Sequence, residues 1–307
     1  VPGLCDDFDS YIVDVVTPAY EATLANDKAI EYKPHLLMMG GLACDHRKPV
    51  KANPIYEGVD LSDCEQDFGC SYCTWYRGPT SDLKGDIVDT AVSQLRRVVE
   101  TAGERGRNCD VIDLLDIRVL SRIDRFAEAM KDVALPPATF CFEPRVDRVL
   151  HVRKKLDKAL TLLEEQGHSI YLFRMGLENL VEEENEFFNK ELTLAQIDEG
   201  TVALEELKKA HPKSFDYDPT WGYITCSPWT TLEMFETQIR RGIERDYDPL
   251  GVWLYTPLLF YKGAPIARLA DRQGGILLDE FEDLSFLYEA AVNGVPLGPL
   301  NARRLQD

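Results

Sequence analysis

Residues 139–173 read TFCFEPRVDRVLHVRKKLDKALTLLEEQGHSIYLF, and this stretch decides the predicted fold. Thr139–Phe142 and Ser169–Phe173 are short and apolar, as strands buried on both faces should be. Apolar residues between them recur at helical spacing and form one stripe: Val152, Leu156, Ala159, Leu160 and Leu163. The stretch therefore predicts a strand, a helix and a second strand that runs parallel to the first.

The same alternation of strands and helices runs along the chain from about residue 55. A helical stripe lies between Ile87 and Val99, and the further candidate strands are Tyr56–Leu61, Val111–Leu115, Gly222–Thr225 and Val252–Tyr255. Consecutive units of this kind leave two economical folds, an open doubly wound sheet and a full or partial barrel. Because no G-x-G-x-x-G follows the first candidate strand, the sequence favours the barrel over a dinucleotide-binding sheet.

The predicted fold class is α/β, a partial (β/α)6 TIM-type barrel with a short N-terminal accessory segment. The barrel is expected over residues 55–275. Residues 1–54 are expected to form the accessory segment or the tail of an upstream domain, although Tyr11–Val16 and His35–Met39 look like strands. Residues 276–307 are acidic and then polar, which indicates a covering helix and a tail.

Composition narrows the classes of function. The chain has 307 residues, of which 45% are hydrophobic, so a full core can form. Lys plus Arg number 34 and Asp plus Glu number 53, and the resulting net charge of −19 disfavours a nucleic-acid partner. No apolar run reaches the ~18 residues of a membrane span, and no signal peptide opens the chain. These features predict a cytoplasmic protein that does not bind membranes.

Three of the eight cysteines fall within ten residues, in the stretch Cys64-Glu-Gln-Asp-Phe-Gly-Cys70-Ser-Tyr-Cys73. Thiolates are soft ligands that suit iron–sulfur clusters, zinc and copper(I). Three cysteines would leave one corner of a four-iron cluster open for a substrate or cofactor. A structural zinc site is the alternative, with Cys44 or His46 as the fourth ligand.

At these cysteines the sequence resembles the radical S-adenosylmethionine (SAM) superfamily. That family usually has C-x3-C-x-aromatic-C just after the first strand of a partial (β/α)6 barrel. Tyr72 is the aromatic residue that the pattern requires, whereas the first spacing here is five residues instead of three. Because Tyr72 lies inside the motif, the resemblance places it beside the cofactors.

Three later segments carry the resemblance further, over about residues 55–275. They are Met175-Gly-Leu-Glu-Asn179, similar to the family's G-x-E-S/N element, Gly222-Tyr-Ile-Thr-Cys-Ser-Pro-Trp-Thr-Thr-Leu-Glu233, similar to its fifth-strand segment, and Pro257-Leu258 with Lys262-Gly-Ala-Pro265, similar to its sixth-strand element. The resemblance is closest to the branch that holds cobalamin-dependent radical methylases and ring-forming enzymes.

The resemblance implies a [4Fe–4S] cluster held by Cys64, Cys70 and Cys73, with SAM bound at the open iron. Reductive cleavage of SAM would give a 5′-deoxyadenosyl radical that abstracts a hydrogen atom from a peptide or a small natural product. Flavodoxin or ferredoxin would supply the electron. Two alternatives stay open: a cobalamin-dependent methyltransferase whose cobalamin domain is not in this chain, and a zinc-stabilised binding protein on a barrel scaffold. Asp45 and His46 are adjacent, so they do not match the cobalamin motif D-x-H-x-x-G.

The resemblance also suggests residues that bind SAM. Glu178 lies where relatives contact the SAM ribose, and Gly176 would let the backbone approach the nucleoside closely. Asp116 lies where relatives bind the SAM amine. Glu143 and Arg145 follow the third candidate strand and are expected to bind the charged ends of SAM or to pair with each other. The rest of the acidic run from Glu178 to Glu186 is expected to be a solvated face.

Cys226 is the candidate catalytic residue. It follows the fifth candidate strand of the barrel, and residues at that position point into the barrel mouth. A thiol there could donate a hydrogen atom to a substrate radical. The alternative is a small buried residue that fills the top of the barrel. Cys141, at the end of the third strand, is a weaker candidate for the same role.

Overall fold

A computed structural model of the chain describes Val13 and residues 36–38, 44, 46–64, 66–73, 86–107, 109–218, 221–245, 247, 258–261 and 263–273. The candidate strand Val252–Tyr255, residues 276–307 and most of Tyr11–Val16 lie outside these ranges. Among the described helices, none is both long enough and apolar enough to cross a bilayer.

Five parallel strands form the main sheet. They are β1 (Leu36–Met38), β2 (Val111–Leu114), β3 (Thr139–Phe142), β4 (Ser169–Leu172) and β6 (Phe215–Tyr217), which lie in the order β1-β2-β3-β4-β6. Two further strands, β5 (Met175–Glu178) and β7 (Trp221–Tyr223), make a two-stranded sheet. The described part of the chain is therefore an α/β fold with a parallel main sheet.

Helices connect these strands. They are α1 (Ile87–Glu104), α2 (Ile123–Met130), α3 (Val146–Glu165), α4 (Glu182–Phe187), α5 (Leu194–Ala210), α6 (Leu232–Glu244) and α7 (Pro265–Arg272), with 3-10 turns at Val50–Ala52, Pro54–Tyr56 and Ile117–Arg122. Helix α1 begins where the Asp86 side chain accepts a hydrogen bond of 2.9 Å from the Val88 N–H. Helix α3 runs for 20 residues and buries the apolar stripe that the sequence predicts.

The chain divides into two compact units. The sheet unit comprises Val1–Asp45, Gly78–Gly176 and Gln196–Trp221, and the cysteine unit comprises His46–Arg77, Leu177–Ala195 and Gly222–Asp307. In the sheet unit, Phe140 is fully buried and its ring meets Phe126 edge to face at 5.2 Å. In the cysteine unit, the core contains Tyr56, Phe188 and the buried side of α7.

The strands at the centre of the main sheet confirm the predicted pattern. The predicted strands 111–115, 139–142 and 169–173 match β2, β3 and β4 to within one residue, and the prediction at 222–225 overlaps β7. The predicted strand Tyr56–Leu61 is wrong. The Asn53 side chain caps a 3-10 turn at Pro54–Tyr56, and Gly58 has a left-handed φ of 70°, so the apolar residues of this segment reach the core from turns.

Candidate metal and cofactor site

The cysteine loop, residues 57–73, carries the three predicted cluster ligands. Cys64, Cys70 and Cys73 are each partly exposed, and none forms a disulfide. The Cys73 N–H donates a hydrogen bond of 3.1 Å to the Cys70 carbonyl, so these two cysteines stand at the two ends of one tight turn. Gly69 precedes this turn with a φ of 78°, and a Cβ there would lie 3.1 Å from the His46 carbonyl oxygen. The loop therefore requires glycine at this position.

Ser71 anchors the turn between the last two cysteines. It is fully buried, and its N–H donates to the Phe188 carbonyl at 2.9 Å while its hydroxyl donates to the Phe187 carbonyl at 2.8 Å. The Tyr56 hydroxyl donates to the same Phe187 carbonyl at 2.6 Å. From α7, the Ile266 N–H donates to the Ser71 carbonyl at 3.0 Å. The position of the turn is thus set by hydrogen bonds on two sides.

The clamp, which we define as residues 186–190, also holds the backbone just before the turn through Asn189. The Asn189 amide donates to the carbonyl oxygens of Gly69 at 2.7 Å and Lys48 at 3.3 Å. Its side-chain oxygen accepts a hydrogen bond of 3.3 Å from the Asn53 amide. Asn189 has a φ of 52°, a conformation that asparagine tolerates better than most residues.

Tyr72 lies between Cys70 and Cys73 in sequence and connects the turn to Glu178. Its hydroxyl forms a hydrogen bond with the Glu178 side chain. Its ring meets Phe188 edge to face, with 5.7 Å between the ring centroids. Burial raises the pKa of Tyr72 well above its usual value, and the negative charges of Glu178, Cys70 and Cys73 raise it further. The phenol therefore stays protonated and serves as a donor to the carboxylate.

Glu178 ends β5 and forms a buried ion pair with Lys190. The Lys190 ammonium hydrogen-bonds the Glu178 carboxylate, and the two side chains are 3% and 10% exposed. Glu178 has a φ of 63°, and its carbonyl accepts a hydrogen bond of 2.7 Å from the Ile224 N–H. A left-handed backbone at a residue other than glycine costs about 1–3 kcal/mol and is found preferentially at functional sites.

The prediction that the rest of the acidic run is a solvated face is only partly right. Glu182, Glu183 and Glu186 are exposed, as expected. Glu184 is fully buried, and its carboxylate accepts a hydrogen bond of 2.8 Å from the Ser227 hydroxyl. The error arises because helix α4 turns one side of the run toward the interior, which a count of charges does not reveal.

Cys64 has a cation beside it. The positive charge of Arg268, on α7, acts on the Cys64 thiol. Burial raises the pKa of the Cys64 thiol, and the Arg268 charge opposes that rise. The guanidinium also contacts the Asp63 carboxylate at 3.4 Å.

Cys226 lies just past β7 and is partly exposed. Burial, followed by the charge of Glu184, raises the pKa of its thiol to about 11. Its backbone carbonyl accepts a hydrogen bond of 2.9 Å from the Leu258 N–H. At neutral pH the group is therefore a protonated thiol on a fixed backbone.

The other predicted SAM ligands lie in the sheet unit. Asp116 is buried, caps the 3-10 turn that follows it, and forms a bidentate pair with Arg118 at 2.9 and 2.7 Å. Arg145 pairs with Asp147 at 2.9 and 3.1 Å. Arg145 is therefore held by the Asp147 carboxylate at the start of α3.

Gly176 and Cys141 occupy regular strand positions. Gly176 lies within β5, where its N–H donates to the Pro144 carbonyl at 2.9 Å. Cys141 is buried in β3 and lies in register between Asp113 of β2 and Tyr171 of β4. Burial raises the pKa of the Cys141 thiol well above its usual value, so it has the environment of a packing residue.

The cysteine loop offers thiols as possible donors to a metal or cluster. Within the described ranges, no three His, Cys, Asp or Glu side chains converge closely enough to hold one metal ion. A four-iron cluster binds each thiolate at a different iron, so its ligands need not converge on one point. Cys64, Cys70 and Cys73 are partly exposed and are not in disulfides. His46, a candidate fourth zinc ligand, instead has its Nε2 2.8 Å from the Asn189 carbonyl oxygen.

Comparison with known proteins gives no match. No protein-family model, curated protein or solved structure is significantly similar to this chain. The assignment of function therefore rests on the residues of the site.

The sequence did not predict four residues that lie in or beside the cysteine loop: Ser71, Asn189, Lys190 and Arg268. Ser71 could have been found, since it lies inside the cysteine motif. The clamp residues follow an acidic run that looks like ordinary surface, and Arg268 lies in a helix 204 positions after Cys64 (268 − 64). No local pattern indicates that these residues reach the cysteine loop.

Proposed function

We propose that the chain is a radical SAM enzyme with a [4Fe–4S] cluster bound by Cys64, Cys70 and Cys73. The observation that carries this proposal is the cysteine loop itself, in which three unlinked, partly exposed thiols stand on backbone that buried hydrogen bonds hold in place. The partial (β/α)6 barrel is part of the proposal, and the five parallel strands of the sheet unit support it. With the cluster and SAM bound, these groups would supply a 5′-deoxyadenosyl radical that takes a hydrogen atom from the substrate.

The residues around the loop have distinct roles in this proposal. Glu178 accepts hydrogen bonds from the SAM ribose hydroxyls, a task that suits a carboxylate. Lys190 pairs with that buried carboxylate and holds it in place. Tyr72 links it to the turn that carries Cys70 and Cys73. The left-handed backbone at Glu178 supports a functional role, because strain of this kind is retained where geometry matters.

The candidates in the sheet unit have unequal support. Gly176 lies in the regular strand β5. Because glycine has no side chain, a nucleoside could approach the backbone closely at this position. Glu143 is partly exposed at the carboxyl end of β3, where a ligand of a parallel sheet is expected. Arg145 and Asp116 already pair with carboxyl or guanidinium partners, so binding the charged ends of SAM would require these pairs to open.

The substrate is proposed to be a peptide or a small natural product, and the electron donor a flavodoxin or ferredoxin. Cobalamin remains a proposed additional cofactor if a further domain supplies its site. Among the described cysteines none is in a disulfide, which suits a reducing compartment such as the cytoplasm.

Removal of the cluster ligands tests the proposal. Changing Cys64, Cys70 or Cys73 to Ala should remove most of the iron and abolish formation of 5′-deoxyadenosine, because each thiolate holds a different iron. Cys109→Ala is the matched control, since Cys109 is also a partly exposed free thiol but lies in the sheet unit. A Cys64→Ala protein with full iron content and activity would show that the cluster assignment is wrong.

A second experiment addresses SAM. Glu178→Gln should weaken SAM binding by about 1–2 kcal/mol, the loss expected for charge-assisted hydrogen bonds. Iron content should not change. Glu183→Gln serves as the control, because Glu183 is exposed on α4. Equal SAM dissociation constants for the wild type and Glu178→Gln would remove Glu178 from the SAM site.

Cys226 is proposed to return a hydrogen atom to the substrate radical. Its raised pKa keeps the S–H bond intact, which a hydrogen-atom donor needs. The S–H bond breaks and a C–H bond forms, and the thiyl radical on Cys226 then takes one electron from the flavodoxin or ferredoxin and one proton. In deuterated buffer the wild type should place deuterium in the product, whereas Cys226→Ala should form 5′-deoxyadenosine but little product. A normal product yield from Cys226→Ala would leave Cys226 as a packing residue.

A further inference from the structure

Helix α6 (Leu232–Glu244) has its apolar side on the surface of the cysteine unit. Leu232 is 75% exposed and Ile243 is 62% exposed, and these two are the most exposed of the large apolar side chains that the structure describes. Phe235 and Ile239 lie between them and are partly exposed. The four residues follow one another at helical spacing, so they form a single strip along the helix, which we call the apolar stripe.

The other side of α6 is attached to the cysteine unit through polar groups. Gln238 is buried, and its amide donates to the Thr225 carbonyl at 2.5 Å while its side-chain oxygen accepts a hydrogen bond of 2.7 Å from the Tyr223 hydroxyl. The Arg241 guanidinium donates to the Leu180 carbonyl at 2.6 Å. A surface helix normally turns its apolar side toward the core. The apolar stripe of α6 is therefore not explained by packing within its own unit.

Charged side chains line one edge of the apolar stripe. Glu236 is exposed, and Arg240, one helical turn later, is 63% exposed. A shallow groove runs along the stripe, and its described lining residues all belong to α6. An exposed apolar strip with a polar rim is typical of a surface that binds another protein. Glu236 and Arg240 lie two positions on either side of Gln238, so this edge becomes complementary to itself when the helix is turned end over end about that residue.

An antiparallel pair of α6 helices centred on Gln238 satisfies both the apolar stripe and its charged edge. With a rise of about 1.5 Å per residue, the apolar side chains of the two copies alternate along the seam, with Leu232 beside Ile243 of the second copy. A twofold axis perpendicular to the helices places the two charged edges on the same side of the seam. Glu236 of each copy then comes level with Arg240 of the other, which gives two contacts between opposite charges.

We propose that the chain forms a twofold-symmetric homodimer in which two α6 helices pack antiparallel through their apolar stripes and Glu236 of each copy faces Arg240 of the other. Each helix is only about 20 Å long, so the contact is smaller than a standard interface and the dimer is weak and reversible. The inference does not depend on the proposed function, because α6 carries none of the residues assigned to the cluster or to SAM.

The oligomeric state of the full-length protein tests the apolar part of this contact. Sedimentation equilibrium from about 1 µM to about 1 mM protein measures the dissociation constant. Salt of about 0.15 M screens the long-range repulsion that a net charge of −19 causes. The wild type should show a monomer–dimer equilibrium. Ile243→Glu should weaken the dimer by at least about a hundredfold, because it places a charge in the apolar seam twice per dimer.

Val202→Glu is the matched control for Ile243→Glu. Val202 is 52% exposed on α5, so this variant adds the same charge at an exposed apolar residue outside α6. Its dissociation constant should equal that of the wild type. Circular dichroism shows whether each variant keeps its helix content. If Ile243→Glu does not, Leu232→Glu takes its place, because Leu232 is the more exposed of the two residues.

Charge reversal tests the antiparallel register. Glu236→Arg and Arg240→Glu, each alone, place like charges opposite each other at both contacts and should weaken the dimer by about tenfold or more. An equimolar mixture of these two variants should form a heterodimer about as tightly as the wild type dimerises, because every arginine then faces a glutamate. The double variant should dimerise like the wild type for the same reason.

Four results would overturn the inference. They are a wild type that stays monomeric over the whole concentration series, an Ile243→Glu protein that dimerises like the wild type, a mixture of the two charge-reversal variants that associates no better than either alone, and growth of the wild type into species larger than a dimer. The last result would show an open-ended contact instead of a twofold one.

Discussion

The sheet unit and the cysteine loop are stabilised in different ways. In the sheet unit, fully buried apolar side chains such as Phe140, Phe126 and Leu160 hold strands and helices together. The cysteine loop also buries apolar residues, Val59 and Leu61, and adds a few buried polar groups, among which Ser71 and Asn189 bond the backbone directly. The comparison shows that apolar burial is common to both regions, whereas the polar contacts fix the backbone of the turn that carries Cys70 and Cys73.

The largest expected effect is in the sheet unit. Phe140→Ala should lower the free energy of unfolding by about 4 kcal/mol, because it opens a cavity beside Phe126 and His168. Urea denaturation measures the change. Val202→Ala is the control, since Val202 is 52% exposed and its loss should cost less than about 0.5 kcal/mol. Similar losses in the two variants would contradict the role assigned to apolar burial.

The buried ion pair should be the most sensitive point near the cysteine loop. Lys190→Met should lower the free energy of unfolding by about 3 kcal/mol, because it leaves the buried Glu178 carboxylate without its cation. Adding Glu178→Gln to this variant should recover much of the loss. Lys48→Met removes the cation of a more exposed pair with Glu191 and should cost less than about 1 kcal/mol. A double variant as unstable as Lys190→Met would argue against charge burial as the cause.

Removal of the hydroxyls that anchor the turn between Cys70 and Cys73 should lower the free energy of unfolding by a smaller amount. The losses from the two single variants should not be additive. Ser71→Ala and Tyr56→Phe should each cost about 1 kcal/mol, because each removes one donor to the Phe187 carbonyl. The double variant should lose more than the sum, since it removes both of these donors. Urea denaturation of the wild type, the two single variants and the double variant gives the four free energies of this double-mutant cycle. Strict additivity would mean that the two hydroxyls do not act on a shared acceptor.

The smallest expected effect is a dependence of the free energy of unfolding on pH, caused by a histidine in the sheet unit. Burial lowers the pKa of His168, whose Nδ1 accepts a hydrogen bond of 3.1 Å from the Ala138 N–H. The unfolded chain therefore binds this proton at a higher pH than the folded chain does. Stability should be complete above the usual histidine pKa of about 6.5 and should fall below it, by at most about 1.4 kcal/mol per pH unit. His168→Asn, which keeps an acceptor but cannot titrate, should lose less stability between pH 7 and pH 5. An identical loss would exclude His168 as the cause.

The same contrast explains how far the sequence could predict the structure. Strands β2, β3 and β4 are visible in it because each is a short apolar run between amphipathic helices. Tyr56–Leu61 also carries apolar residues, but Glu57, Gly58 and Asp60 interrupt them, and its turn geometry depends on the Asn53 side chain. The cysteine motif marks the loop, whereas its supports lie far along the chain: Ser71 and Phe187 are 116 positions apart. Such pairs leave no periodic signal.

The direct test of the central claim is the iron and sulfide content of the anaerobically reconstituted wild-type protein, together with its paramagnetic spectrum with and without SAM. The account predicts four iron and four sulfide per chain, bound by Cys64, Cys70 and Cys73, and a reduced-cluster signal that changes when SAM is added. Protein that binds no iron, or that holds a single zinc ion and shows no signal, would contradict it.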